Sequence, residues 1–177
     1  QSGSKLYVDE FLKYEDIYPS DLIEIHNRPN YFHLIHKKKA NQKIVLYFHN
    51  DPLTMTGSRT ISDRKELLFS ATKIIFNSHW SRKRFLQGIE KMHLNSEKLD
   101  VIYQSINSTK VNLNKKKKWI TFVGKLNKAK GYDLFGKAVI KILKKFKDWS
   151  AIVIGDEPRS TLYFKHNRLK ILGFTEH

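Results

Sequence analysis

The chain is 177 residues long, enough for one sizeable domain or two small ones. It holds no cysteine, which excludes a disulfide framework and any thiolate zinc site and suits a reducing cytoplasm. Thirty-three Lys and Arg against 17 Asp and Glu give a formal charge of +16, so the expected partner is anionic: nucleic acid, anionic lipid headgroups and a nucleotide diphosphate all satisfy the count, as does a lysine-rich surface that is merely solvated.

In chain order, residues 1–4 lack the charged and apolar regions of a signal peptide and read as an appended remnant. No apolar run approaches the roughly 18 residues of a membrane-spanning helix, so the chain reads as soluble, with attachment to a membrane surface left open. Short β-branched runs at 22–25, 43–48, 73–76, 101–103, 119–123, 151–154 and 169–172 read as strands, and their near-continuous apolar character suits burial on both faces. Between them, residues 31–39, 63–70, 81–90 and 133–149 read as helices. The alternation predicts parallel sheets wrapped by helices.

The loops after the strands hold the chemistry-bearing residues. His26-Asn27-Arg28-Pro29 follows the first strand, at the sheet edge where open α/β folds place ligands. His26 can move a proton and Arg28 can hold an anion; Pro29 suits a turn or the first position of a helix. A second strand delivers His49, Asn50 and Asp51 to the same edge, and residues 53–58 read as a mobile polar loop. Ser78 or Ser81 reads as a helix cap, while Trp80 with Arg82, Lys83 and Arg84 forms either a solvated helix surface or a patch for anionic lipid. His33 and His36 lie three apart, but no carboxylate partner converges on them, so no metal site is expected.

Residues 107–118 are polar, lysine-rich and without period, a natural boundary. Beyond it, Trp119 to Phe135 reads as a strand, a Gly/Lys loop and a helix. Gly124 lets the backbone turn sharply, Lys125 and Lys130 bring ammonium groups, and Gly131 opens a helix whose N-terminus attracts anions. The glycine spacing is neither that of the P-loop nor that of the dinucleotide fingerprint. In the helix, Phe135, Ala138, Val139, Ile142, Leu143 and Phe146 share one face; Lys137, Lys141, Lys144, Lys145 and Lys147 occupy much of the other and read as solvated.

The run Phe122-Val-Gly-Lys-Leu-Asn-Lys-Ala-Lys-Gly-Tyr-Asp-Leu-Phe135 resembles the segment F-V-G-R-L-x-x-x-K-G-x-D-x-L that opens the nucleotide-sugar domain of family-four glycosyltransferases of the GT-B fold. Lys125 stands where arginine is usual, which keeps the charge and loses the bidentate fork. The resemblance runs from about Asp21 to Phe174 and implies an α/β protein with a Rossmann-like parallel sheet of GT-B type and an incomplete second Rossmann-like domain. Residues 1–109 would be the acceptor-side domain lacking its usual start, 110–118 a linker, and 119–177 the beginning of the nucleotide-sugar domain, without the glutamate pair that grips the donor in the family. Exposed apolar surface on that unfinished domain would favour a homodimer.

The implied activity is sugar transfer from a nucleotide sugar, UDP or GDP type undetermined, to a glycan or lipid-linked acceptor in polysaccharide biosynthesis. It would be retaining, with neither metal nor cofactor, in the cytoplasm or peripheral to the inner membrane face. Gly124, Lys125, Lys130 and Gly131 would bind the donor diphosphate, His49 would act in catalysis, and His26, Asn27, Arg28, Asn50 and Asp51 would lie on the acceptor side. The alternatives are a basic α/β nucleic-acid-binding module, for which no recognition motif is present, and an inactive glycosyltransferase-like scaffold.

Overall fold

In a computed structural model describing residues 3–89, 96–108, 110 and 112–175, the chain divides into two compact units, residues 1–107 and 108–177. The first unit runs α1 (Gly3–Ile17), β1 (Ile23–His26), α2 (Pro29–Lys38), β2 (Ile44–Phe48), α3 (Ile61–Ser70), β3 (Lys73–Phe76), α4 (His79–Leu86) and β4 (Leu99–Val101). All four strands are parallel, in the order β1-β2-β3-β4. Successive strands therefore always step in one direction, and right-handed crossovers place the connecting helices on one face.

Burial follows that topology. Ile23 and Ile25, then Ile44, Leu46 and Phe48, then Ile74 and Phe76, then Leu99, all point into the core; the residues between them are half-buried or exposed. The expectation of burial on both faces is thus corrected, because an alternating pattern means a one-sided sheet. Phe32 and Ile35 of α2, Leu67 of α3 and Phe85 of α4 close the core. The rings of Phe48, Phe76 and Phe85 lie 5.3–5.6 Å apart.

Local signals set the helix starts. Pro29 occupies the first turn of α2. Thr60 and Asp63 form a reciprocal capping box on α3, and Ser78 rather than Ser81 caps α4 by accepting from the Ser81 amide. The expected helix at 81–90 begins two residues earlier and ends at Leu86; its expected last residue lies outside the described residues. The expected strand at 101–103 is displaced to Leu99–Val101, since Leu99 is the residue that fills the core.

Helix α1 has no counterpart in the sequence expectations, and Gly3 and Ser4, read as remnant, form its first turn. It docks Val8 and Leu12 into the core, stacks Tyr7 on Tyr31 at 5.3 Å, and pairs Asp9 with Lys38 (2.6 Å) and Asp16 with Lys39 (2.7 Å). Buried Glu15 accepts the Ser20 amide and hydroxyl, both at 2.7 Å, which holds its carboxyl below the usual range.

The second unit runs β5 (Trp119–Val123), α5 (Tyr132–Lys145), β6 (Ser150–Ile154) and β7 (Leu169–Ile171), with parallel strands in that order. Val139 and Leu143 of α5 pack with Ala151, Ile120 and Leu169. The apolar face is not quite the expected one: Ala138 and Phe146 are exposed, while Tyr132 and Gly136 are buried, Tyr132 against Phe122 and Phe164. The five lysines of the outer face are exposed as expected. Arg168 caps the end of α5, donating to the carbonyls of Phe146, Lys147 and Trp149. Among the described residues no helix is long and apolar enough to cross a membrane.

Leu46 is wholly buried at the centre of the first sheet. Leu46→Ala is expected to destabilise the first unit by about 2–5 kcal/mol, read as a lower denaturant midpoint in chemical unfolding followed by hydrogen exchange of β1–β3.

Candidate functional site

The in-register ladders bring the carboxyl ends of β1, β2 and β3 to one level: His26 pairs with Tyr47, Tyr47 with Ile75, and Phe48 with Phe76. The residues that follow make the loop cluster. Asn27 is the only described non-glycine residue with positive φ (53°), a conformation that asparagine tolerates better than most. Its turn lets the side-chain oxygen accept the amides of His49 (2.8 Å) and Asn50 (3.2 Å), so the β1 loop holds the β2 loop. From the far side, the Asn77 amide group donates to the His49 carbonyl at 2.7 Å.

Within this frame His26 Nδ1 lies 2.7 Å from His49 Nε2, and the rings stack with centroids 5.0 Å apart. His26 Nε2 is 3.1 Å from Glu24, and His49 Nδ1 is 2.9 Å from the Gln104 side-chain nitrogen. Tyr47 stacks on His49 at 4.4 Å, and its hydroxyl donates to the Ile102 carbonyl. Burial, then the neighbouring His26 charge, push His49 below the ordinary histidine value, with Glu24 pulling the other way. Burial and the His26 charge thus both disfavour a charge on the His49 ring.

The other residues expected on the acceptor side divide. Arg28 is exposed and, among the described residues, donates only to the adjacent Asn27 carbonyl, leaving most of its guanidinium for an anion. Asn50 is exposed. Asp51 instead turns inward: Arg84 donates to it through Nε and Nη2 at 2.9–3.2 Å, and the Leu53 amide adds a bond at 3.0 Å. Arg84 is thereby withdrawn from the proposed lipid patch, where Trp80 and Lys83 remain exposed. The loop expected to be mobile is fastened by buried Ser58, which donates to the Pro52 carbonyl and accepts from Arg64. His33 Nε2 lies 2.7 Å from the Gly57 carbonyl oxygen, while its Nδ1 is 3.0 Å from Glu66 without forming a hydrogen bond.

In the second unit, Gly124 (φ 143°) and Gly155 (φ 129°) end β5 and β6 in glycine-only conformations. The two backbones nearly touch, and a Cβ on Gly155 would lie 2.1 Å from the Gly124 oxygen. Asn127 caps the turn Lys128–Lys130 by accepting the Lys130 amide, and Gly131 (φ 74°) passes the chain into α5. Lys125 and Lys130 are exposed, with no ion-pair partner among the described residues. Seventeen Lys and Arg against five Asp and Glu lie in residues 108–177, so this unit carries most of the positive charge.

Sequence reasoning did not single out Glu24, Gln104, Asn77, Asn127 or Gly155. Gly155 was findable, since like Gly124 it directly follows a strand. Glu24 was findable too, since it shares a strand face with His26 two positions on, whereas Gln104 carried no local signal because its partner lies 55 positions away.

Two parallel α/β units, with loops converging at the carboxyl ends of their strands, define a Rossmann-like fold of GT-B type. Residues 104–173 match the sequence profile of the family described as glycosyl transferases group 1, so that part of the chain carries this family's pattern. Similar solved structures include HepE from Anabaena in complex with UDP-glucose (TM-score 0.66, 18% identity, 96% of this chain and 52% of that one). TarM also matches (TM-score 0.64, 14% identity, 92% and 35%). So does a putative UDP-N-acetylglucosamine 2-epimerase from Listeria monocytogenes (TM-score 0.53, 12% identity, 99% and 52%). The chain thus spans about half or less of each of these proteins, and at such identities the likeness is one of fold. No curated protein matches the chain in sequence.

Asp51 titrates below the ordinary carboxylate value because Arg84 binds its charged form. Its contribution to stability is complete above the unfolded-state value, near 3.9, and is lost as pH falls through the lower folded value. Urea unfolding of the first unit is expected to weaken on acidification from pH 5, and to weaken less steeply in Asp51→Asn. Gly155→Ala is expected to cost at least about 2 kcal/mol, seen as a lower melting temperature of the second unit, whereas Gly173→Ala, with no atom near its missing Cβ, costs less.

Proposed function

We propose that the chain is part of a glycosyltransferase that moves a sugar from a nucleotide-sugar donor to a glycan or lipid-linked acceptor. The observation that carries this reading is the loop between β5 and α5. Gly124 and Gly131 give it backbone angles that favour glycine, and Lys125 and Lys130 stand exposed, without an ion-pair partner among the described residues, ahead of a 14-residue helix. Two ammonium groups and the helix N-terminus form an anion site. In sugar transfer the bond from the anomeric carbon to the diphosphate breaks, and the departing diphosphate gains charge. Lysines already at that oxygen stabilise the transition state more than the ground state.

On this reading the His26, Arg28, Asn50 and His49 cluster of the first unit serves the acceptor, with Arg28 meeting an anionic group and His49 a hydroxyl. Asn27 positions His49 and Asn50, and Asp51 supports their loop through Arg84 rather than touching a ligand. Retention at the anomeric carbon, independence from metal and a cytoplasmic setting belong to the same proposal. The match to a group 1 glycosyltransferase profile favours transfer over epimerisation, a chemistry named for a neighbour of the same fold.

A second reading draws on the charge of residues 108–177, which would serve any polyanion. The two separate in a thermal-shift panel of UDP, GDP, ADP, pyrophosphate and heparin at moderate salt. Transfer predicts a shift selective for one nucleoside diphosphate and abolished by Lys125→Ala with Lys130→Ala. Equal shifts with every polyanion, together with affinity falling tenfold or more between low and moderate salt, would replace it with the charge-driven reading.

A further inference from the structure

Along the carboxyl edge of the first sheet His26 and His49 share a hydrogen bond of 2.7 Å, His49 and Gln104 one of 2.9 Å, and the Glu24 carboxylate lies 3.1 Å from the other His26 nitrogen. The chemistry at the two ends of this chain sets its direction. An ionised carboxylate has no proton to give, and a bare ring nitrogen 3.1 Å from it would oppose lone pair to lone pair, which favours a proton on His26 Nε2. In neutral His26 the other nitrogen, Nδ1, is then a bare acceptor, and the proton in the 2.7 Å contact belongs to His49 Nε2. Neutral His49 in turn presents a bare Nδ1, which the Gln104 amide N–H satisfies. Each ring nitrogen of the two histidines has a complementary neighbour in this one neutral arrangement, with all donors pointing towards Glu24.

From this we infer that Glu24 and Gln104 are positioning residues of a two-histidine proton relay whose receiving atom is Nδ1 of His49. Gln104 occupies the place that a donating hydroxyl takes. When such a hydroxyl replaces it, the O–H bond breaks and a proton binds His49 Nδ1, while the substrate oxygen keeps the electron pair. His49 Nε2 simultaneously releases its proton to His26 Nδ1. The resulting positive charge rests on His26, beside the Glu24 carboxylate, and His49 ends neutral with its tautomer reversed. Glu24 thus stabilises a charge that never resides on the residue that meets the substrate.

The surroundings agree. The charges that act on His49 are His26 and Glu24, with burial and His26 opposing protonation and Glu24 favouring it. Tyr47, stacked on both histidines, has its hydroxyl proton committed to the Ile102 carbonyl and does not divert the chain. The His49 backbone is held at its amide by Asn27 and at its carbonyl by Asn77, which fixes where its side chain starts. Glu24 is half-exposed on an outer strand and supports no core contact, so its replacement tests the relay rather than the fold.

Naming an acceptor hydroxyl as proton source rests on the glycosyltransferase reading; the relay itself does not. It is tested on the 15N-labelled 177-residue chain, without nucleotide, by long-range proton–nitrogen correlation of the histidine rings over a pH titration. At pH 7.5 both His26 and His49 are expected as Nε2–H tautomers. Glu24→Leu should convert His49 to a mixture of tautomers. Glu24→Gln, which keeps an accepting oxygen without charge, should restore the single tautomer yet lower the pH at which His49 takes up a proton. An Nδ1–H tautomer of His49 in the unaltered chain, or a tautomer and titration indifferent to both substitutions, would overturn the relay. Failure of the nucleotide panel would leave this result untouched, so the two readings fail separately.

Discussion

The candidate site depends on the parallel, in-register pairing of β1 through β3. Because each strand steps to the next in the same direction, their carboxyl ends finish side by side, and each following loop starts from a fixed height. Had β2 slipped by one residue, Leu46 and Phe48 would exchange the core for solvent, so the apolar faces enforce the register. The same register sets His26 beside Tyr47 and His49 within reach of both. Hydrophobic burial on one face thus places the polar chemistry at the edge.

The one-sided burial also explains why that edge is chemically usable. Core residues alternate with Glu24, His26, Val45, Tyr47 and Ile75, which line a half-open face of moderate polarity. Histidines there are shielded enough for burial to disfavour a charge on His49, yet open enough for a hydroxyl to approach. The Asp51–Arg84 pair does the opposite work: it consumes two charges to brace the β2 loop against α4, which is why an aspartate next to the site faces away from it.

The second unit uses backbone conformation where the first uses side-chain clamps. Gly124 and Gly155 let two strand ends approach more closely than any side chain permits, and Asn127 ties the turn that carries Lys130. Lys125 and Lys130 are then left exposed, with no ion-pair partner among the described residues. HepE carries UDP-glucose on the same fold, and a putative epimerase shares it too; fold therefore limits the ligand class less than the residues on the loop do.

Much of this was legible in residue order, for reasons that can be named. Strands 73–76 and 119–123 were read to the residue because apolar runs bounded by turn residues are local signals. The glycines of the β5 loop were readable because only glycine takes those backbone angles cheaply. Helix α1 was not readable: its amphipathic character is weak, and it is held by ion pairs and a stacked tyrosine from α2. Nor could order alone show that Asp51 belongs to Arg84, 33 positions on, or that His49 meets His26 on one side and Gln104 on the other. Periodicity, turn chemistry and charge are properties of neighbours along the chain, and they settle which residues stand at the strand ends. Which of those residues meet is settled by strand register across the sheet, a free energy summed over the whole core that no short stretch contains.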